Sequence, residues 1–310
     1  MKDISIVIPY YNHVDTLPKL LDAISQQSIT NIESIIVDDC SDVPCDAIVR
    51  AYQKNGLCVS LIRNTKREQT KNTRLRGISS AQGRLVTCID ADDTLYGTKA
   101  LCYHIEKQRE TNADITHFSA HISRAGKALP PHDVRWGQPL LEGFYEGDIY
   151  SQFTQSGFAG HTIWGKIIKK TLWDAVLPHA LTSSVRRYAE DFFLSALLYF
   201  HARSYYGSSR IGYVYDWQDK TNHKAFGRAA TYHSMLEEFI PYICRNGVAP
   251  AALEKTRAHL LDRVRFYVSL FLSNSMGGQA TAPLPPEFYG AMLEHGDAEK
   301  VLRVLMDGLH

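Results

Sequence analysis

Residues 1–95 alternate short β-rich runs with segments of helical period, and this alternation leaves the chain few folds to adopt. Ile4-Ser5-Ile6-Val7-Ile8 is a strand-like run that stops at Pro9. Leu17, Leu20, Leu21 and Ile24 then recur at helical spacing, with Asp15 or Thr16 placed to cap the helix. Ile35-Ile36-Val37 forms a second run and ends in Asp38-Asp39. The spacing predicts a helix over 47–55 closed by Gly56, a strand over 58–62, a helix over 71–81 and a strand over 85–89 that ends in Asp90. A helix over 96–111 and a strand over 115–120 follow. Strands separated by single helices pair in parallel through crossovers, so the expected class is α/β, a Rossmann-like, mostly parallel sheet flanked by helices. Such sheets bind ligands beyond the carboxyl ends of their strands. Pro9-Tyr10-Tyr11-Asn12, Asp38-Asp39 and Asp90-Ala91-Asp92-Asp93 are therefore expected to line one crevice.

Asp90, Asp92 and Asp93 crowd three carboxylates into four residues. Like charges this close repel, and a hard divalent cation with oxygen ligands offsets them. A solvated turn that caps the helix predicted from Tyr96 is the alternative, since Asp suits both roles.

Beyond residue 121 the pattern changes. Glycine, proline and interleaved aromatics predict an irregular segment over 122–160, with a hairpin lying over the active face. A strand-like stretch follows over 162–170 and an amphipathic helix over 188–202. After Gly212 the chain is expected to be mostly helical, with stretches over 230–245, 251–273 and 286–309. The expected organisation is a catalytic region over 1–224, divided at 121/122, and a helical region over 225–310. The formal net charge of +1 argues against a general nucleic-acid binder. No cysteine pair has metal-ligand spacing, and Cys58 and Cys88, inside apolar runs, are expected to be reduced and buried. The N-terminus leads straight into a strand pattern, with no leader expected, and the apolar runs Phe192–Phe200 and Phe266–Leu272 are too short to span a bilayer. A cytoplasmic protein is expected. Lys255, Arg257, Arg263 and Arg265 make the 251–272 helix basic and amphipathic. It is suited to packing within the protein or against a second subunit, with contact to the inner face of the cell membrane as the alternative.

Four segments carry a family resemblance. Ser5 to Asn12 (SIVIPYYN), Ile36 to Ser41 (IVDDCS), Gly83 to Leu95 (GRLVTCIDADDTL) and Ala189 to Phe192 (AEDF) resemble the family 2 glycosyltransferases of GT-A fold. Those enzymes transfer sugars from nucleotide diphosphates with inversion at the anomeric carbon. The resemblance is looser at Trp164-Gly165-Lys166 and fades beyond residue 225. It implies a GT-A sheet with a helical C-terminal annex, a nucleotide-sugar donor (a UDP-sugar), Mn2+ or Mg2+ as cofactor and a glycan acceptor, lipid-linked or free, in bacterial surface polysaccharide, lipooligosaccharide or glycoprotein assembly.

The same resemblance assigns roles. Pro9, Tyr11 and Asn12 hold the nucleotide base, with Tyr11 packed on it. Asp39 accepts a hydrogen bond from the base and Asp38 supports that loop. Arg74 contacts the base or diphosphate. Asp90 and Asp92, with Ala91 between them, form the metal and ribose pair. Asp191 is the base that accepts the acceptor proton, with Glu190 its neighbour. The rival reading makes Glu190-Asp191 a helix N-terminal pair favoured by the dipole. Trp164 is a sugar platform or a core-edge tryptophan, Lys166 a diphosphate contact or a surface residue, and His223 a metal ligand or an exposed loop residue. The family usually reads Arg-Asn-x-Gly where this chain reads Arg74-Leu75-Arg76-Gly77, and Lys66-Arg67-Glu68-Gln69-Thr70-Lys71 replaces a small glycine-rich approach, which directs extra basic side chains toward the diphosphate. A sugar nucleotidyltransferase would carry a glycine- and basic-rich loop after the first strand, and a dinucleotide enzyme a G-x-G-x-x-G there; Tyr10-Tyr11-Asn12-His13 is neither. A non-catalytic glycan-binding module is the remaining alternative, and Asp191→Asn separates it from an enzyme.

Overall fold

The computed structural model describes residues 2–124, 127–185, 188–217 and 225–275. The chain divides into two compact units, Met1–Arg186 with Glu190–Gln218, and Asp219–His310 with Arg187–Ala189.

The first unit opens with β1 (Ile4–Tyr10), α1 (Leu17–Ser25), β2 (Ile32–Asp38), α2 (Asp46–Lys54), β3 (Val59–Arg63), α3 (Gln69–Ser80) and β4 (Leu85–Cys88). These four strands lie in the order β3-β2-β1-β4, all parallel, as single-helix crossovers require. Ile4, Ile6 and Ile8 on one face of β1 meet Leu17, Leu20, Leu21 and Ile24 of α1, all buried. Burial on both faces explains the near-continuous apolar run of β1. The opposite face receives α3 at close range: a Cβ on Gly77 would lie 2.5 Å from Val7 Cγ1, so only glycine lets the helix approach this closely.

The second half of the unit contains β5 (Thr94–Leu95), α4 (Ala100–Thr111), β6 (Ile115–Arg124), β7 (Lys127–Ala128), a 3-10 turn (Arg135–Gly137), β8 (Gly143–Glu146), α5 (Ile149–Gln155), β9 (Lys166–Lys169), α6 (Lys170–Thr182), α7 (Glu190–His201) and β10 (Ser204–Trp217). The sheet continues past β4 as β9-β6-β10-β5. β9 is antiparallel to both its neighbours, and β6 and β10 are parallel to each other. The fold is thus α/β with a parallel first half and a mixed second half.

Several elements differ from the sequence pattern. The helix expected from Tyr96 starts at Ala100, because Thr94 and Leu95 pair instead with Val214 and Tyr213. The chain does not turn helical after Gly212; β10 continues to Trp217, paired with β6 throughout. β6 turns back into β7 as a short hairpin in the 122–160 segment. Cys58 is exposed rather than buried, since it precedes β3, whereas Cys45 and Cys88 are buried and no cysteine is paired.

The second unit contains α8 (Ala225–Arg245) and α9 (Pro250–Ser275), packed on each other. Ala252, Thr256, Leu260, Val264 and Val268 recur every fourth residue and are buried, as are Met235, Phe239 and Ile243 of α8. Lys255 and Arg257 remain on the exposed side of α9. No described helix is long and apolar enough to cross a membrane. The helix expected over 286–309 and His223 lie outside the described residues.

Candidate active site

The three strand-end segments are built differently. At the end of β2, Asp38 is fully buried. Its Oδ1 accepts from the Ser41 amide (2.9 Å) and its Oδ2 from Arg63 Nε (2.9 Å). Asp39 accepts from Asn64 Nδ2 (2.8 Å) and from the amides of Glu68 (2.7 Å) and Gln69 (3.0 Å) at the start of α3. Pro9 lies within β1, paired with Val37. Asn12, with left-handed backbone (φ 58°), joins the β1 and β2 ends. Its Nδ2 donates to Asp42 (2.9 Å) and its Oδ1 accepts from the amides of Asp42 and Val43. The Arg67 guanidinium lies 3.4 Å above the Tyr11 ring and 3.9 Å from Asp39, so a cation-capped aromatic face stands beside the Asp39 carboxylate.

Beyond β4, residues 90–93 form a tight turn. The Asp93 amide donates to Asp90 O (3.0 Å), and Thr16 Oγ1 donates to Ala91 O (2.8 Å). Ala91 is buried and holds the turn through that carbonyl. The turn sends its three carboxylates in three directions. Asp93 is buried and accepts from Tyr213 Oη (2.6 Å); burial first, and then the charges of Asp90 and Asp92, hold it well above the ordinary carboxylate range. Asp90 accepts from Arg74 Nη2 (2.7 Å). Asp92 is exposed, with no hydrogen bond or ion pair among the described residues.

Arg74 connects this turn to α7. Its guanidinium is buried, donating through Nη1 to Asp191 Oδ1 (2.7 Å) and standing 3.6 Å from Glu190 Oε1. Burial works against its charge, and Asp90, Asp191 and Glu190 outweigh burial and raise its pKa well above the ordinary arginine value. The two α7 carboxylates are raised in turn. Burial is the main cause for both; for Glu190 the neighbouring charge of Asp191 adds to it and pushes it up to about 7, while Arg74 pulls both down. Such a pair at the start of a helix, Glu190 at about 7 and Asp191 raised, has the properties of a general base.

Other side chains are placed apart from their expected roles. The Arg74 guanidinium is occupied by three carboxylates within the protein. Lys71 is fully buried and donates to the Ala180 (2.7 Å) and Ser183 (2.9 Å) carbonyls, which fastens the end of α6 rather than a diphosphate. Arg76 donates to Asn64 (2.6 Å). Trp164 is buried and stacked on Tyr213 (4.7 Å, 6°) and Tyr215 (5.3 Å, 21°), so it belongs to the core edge and its stacked face is taken. Lys166 is buried, not on the surface, with Nζ on the Thr162 carbonyl and 5.5 Å from the Tyr199 ring; burial lowers it to about 7 against the attraction of Asp191. Sequence reasoning directed Arg67 to the diphosphate rather than to the Tyr11 ring, and missed the alternation Tyr213-Val214-Tyr215-Asp216-Trp217, whose period of two was the available signal for a strand.

Residues 5–167 match the family described as Glycosyl transferase family 2, just over half of the chain. The chain belongs to glycosyl transferase family 2. Among family members with curated descriptions, it is 37% identical over 106 residues to the amylovoran biosynthesis glycosyltransferase AmsB of Erwinia amylovora, and 26% identical over 164 residues to the GalNAc(5)-diNAcBac-PP-undecaprenol beta-1,3-glucosyltransferase of Campylobacter jejuni. These alignments take in 32% and 50% of this chain and 34% and 53% of those relatives. In fold it is similar to S. aureus TarS 1-349 in complex with UDP-GlcNAc (TM-score 0.59, 17% identity, 93% of this chain and 77% of that one). It is also similar to the mannosyltransferase PcManGT of Pyrobaculum calidifontis in complex with GDP-Man and Mn2+ (TM-score 0.58, 16% identity, 96% and 80%). The sheet is therefore of the family's GT-A type. Among the described residues, no three or more His, Cys, Asp or Glu side chains are grouped as a complete metal site.

Proposed function

We propose that this chain is an inverting glycosyltransferase that moves a hexose or N-acetylhexosamine from a UDP-sugar to a hydroxyl of a glycan. The observation that carries the reading is the Arg74 guanidinium, which brings the strand-end carboxylate Asp90 and the raised pair Glu190-Asp191 into one site. Transfer needs both groups: one where the diphosphate leaves, and a base on the opposite side of the anomeric carbon. The acceptor oxygen attacks that carbon while its bond to the diphosphate oxygen breaks. The bonding pair leaves with the nucleoside diphosphate, and the acceptor proton passes to Asp191. Burial, and then the charge of Asp90, keeps Asp191 basic against the pull of Arg74, with Glu190 as its neighbouring carboxylate.

Tyr11 and Asp39 suit a nucleotide base, with Pro9, Asn12 and Asp38 shaping the loop that holds them. The donor set fits a hard divalent cation. Asp92 is exposed and unpartnered, Asp93 is raised by burial and then by the charges of Asp90 and Asp92, and such cations are commonly held by one or two carboxylates together with substrate phosphates. Asp92 with Asp90, the two ends of a DXD motif, would hold Mn2+ or Mg2+, which supplies neutralisation of charge on the leaving diphosphate. His223 is a further candidate ligand.

The UDP-GlcNAc and GDP-Man complexes of the similar folds support a nucleotide-sugar donor. The relatives' names support bacterial glycan assembly and, in the undecaprenol of one of them, a lipid-linked acceptor; we place such an acceptor at the inner face of the membrane. The exposed Lys255 and Arg257 of α9 suit an anionic surface there. The test is a panel of UDP-, GDP- and dTDP-sugars incubated with and without Mn2+. Nucleoside diphosphate release is followed by chromatography and the anomeric configuration of the product by NMR. Release from UDP-sugars with Mn2+, and an inverted product, are expected. No release from any donor sinks the reading.

A further inference from the structure

Tyr213, Tyr215 and Trp217 are spaced by two on β10, so they share one face of the strand, opposite Ala120, Ile122 and Arg124 of β6. The first of them is anchored in the acidic turn: Tyr213 Oη donates to Asp93 (2.6 Å) and accepts from the Asp90 amide (3.3 Å). From there the row leads away from the carboxylates for about 13 Å of strand, longer than a single pyranose ring. Burial falls along it. Tyr213 is fully buried, while Tyr215 and Trp217 are half-buried. Trp164 backs the row as a stack on Tyr213 and Tyr215. Half-buried Trp136 stands edge-on to Tyr215 (5.9 Å, 85°) and Trp217 (5.9 Å, 77°), and the Arg124 guanidinium lies 5.0 Å from the Trp217 ring.

The position of the row selects its occupant. In the sheet order β3-β2-β1-β4-β9-β6-β10, the Tyr11–Asp39 side lies at β1 and β2, and the aromatic row at β10, with the Asp90–Asp93 turn of β4 between them. A donor whose base lies on the first side places its leaving group at the turn, so the acceptor has to arrive from the second. Tyr215 is the next ring of the row after Tyr213, whose hydroxyl bonds the turn, so it stands nearer the carboxylates than Trp217 does. Flat rings with electron-rich faces and a polar edge match the alternating C–H face and hydroxyl rim of a sugar.

The geometry points to Tyr215, Trp217 and Trp136 as the acceptor subsite, a stacking surface for a saccharide of more than one ring, with Tyr215 beneath the sugar that carries the reacting hydroxyl. This inference rests on the glycosyltransferase reading above and adds the acceptor class, an oligosaccharide rather than a monosaccharide or an aglycone. The test uses soluble probes: glucose, galactose and N-acetylglucosamine as single sugars, and cellobiose, lactose, N-acetyllactosamine and chitobiose as disaccharides. Binding is read by saturation-transfer NMR and by tryptophan fluorescence, to which the half-buried Trp136 and Trp217 contribute. At least one disaccharide is expected to bind, more tightly than any single sugar, and to change the fluorescence. Trp217→Ala is expected to weaken it about tenfold and Trp217→Phe far less, as befits loss or retention of one aromatic stack. With that disaccharide as acceptor, the KM for the acceptor should rise more in Trp217→Ala than the KM for the donor, in a variant whose Tm shows that it is folded. Tyr215→Leu supplies a second variant with the same expectation. Binding of no disaccharide, or equal binding by the unsubstituted protein and both variants, overturns the subsite. Failure of the broader reading looks different: the unsubstituted protein then releases no nucleoside diphosphate from any donor, whatever saccharides it binds.

Discussion

Two acidic segments end strands that flank β1 in the same sheet, Asp38-Asp39 after β2 and Asp90–Asp93 after β4, and the protein treats them in opposite ways. Every carboxylate of the first is met from within the chain, by amides, Asn64 and Arg63. In the second, Asp92 has no partner, Asp90 has one guanidinium, and Asp93 is held neutral-leaning by burial and its neighbours. Acidic residues at a strand end therefore do not define a role by themselves. A pair bonded from within is held in a fixed loop, whereas an under-compensated group leaves negative potential for a cation that could neutralise a leaving diphosphate.

Substitutions should separate the two segments, with chemistry most affected at Asp191, which Arg74 joins to the second segment. Asp191→Asn preserves shape and removes the base, so transfer should fall about a thousandfold, within the range of general-base loss, while UDP still binds. Arg74→Met leaves the part-buried carboxylates Asp90, Asp191 and Glu190 without a counter-ion; stability should drop by about 3 kcal/mol in urea unfolding, the low end of the cost of breaking a buried pair, since all three are partly exposed. Asp92→Asn should cost about a hundredfold in transfer and abolish its dependence on Mn2+, with Tm nearly unchanged, because nothing in the fold depends on that side chain. Asp38→Asn should do the reverse, lowering stability by about 1–2 kcal/mol, since Arg63 is half exposed, and leaving the Mn2+ dependence intact.

The smallest effect concerns pH. Glu190 and Asp191 are raised above ordinary carboxylates, with Glu190 at about 7, so the base form is lost as pH falls and kcat/KM should decline on the acid side of neutrality. Glu190→Gln removes a like charge beside Asp191, lowers its pKa, and should move that acid limb to lower pH. An unmoved limb would detach Glu190 from the base.

Much of this was legible in the sequence because strand and helix periods act locally. Ile4–Ile8 and Leu85–Cys88 announce buried strands, and parallel pairing places their ends on one side. Arg74 was not legible in the same way. Its partners Asp90 and Asp191 lie 16 and 117 residues away, and they meet only because Gly77 lets α3 lie close on β1. Lys71 misled for a related reason: a basic residue on an apparently polar helix turned out to serve the carbonyls at the end of α6. Trp164 offered two readings, and it lies buried against Tyr213 and Tyr215 at the core edge, because β10 supplies rings from a stretch where the sequence pattern predicted no strand.

The central claim is that the Asp90–Asp93 turn is a cation site for the diphosphate of a nucleotide sugar. Isothermal titration of UDP into the protein, with and without Mn2+, tests it most directly. Binding should be at least about tenfold tighter with Mn2+, a difference of roughly 1.4 kcal/mol, and Asp92→Asn should erase that difference while Asp38→Asn retains it. Equal affinity for UDP with and without Mn2+ in the unsubstituted protein would contradict the claim.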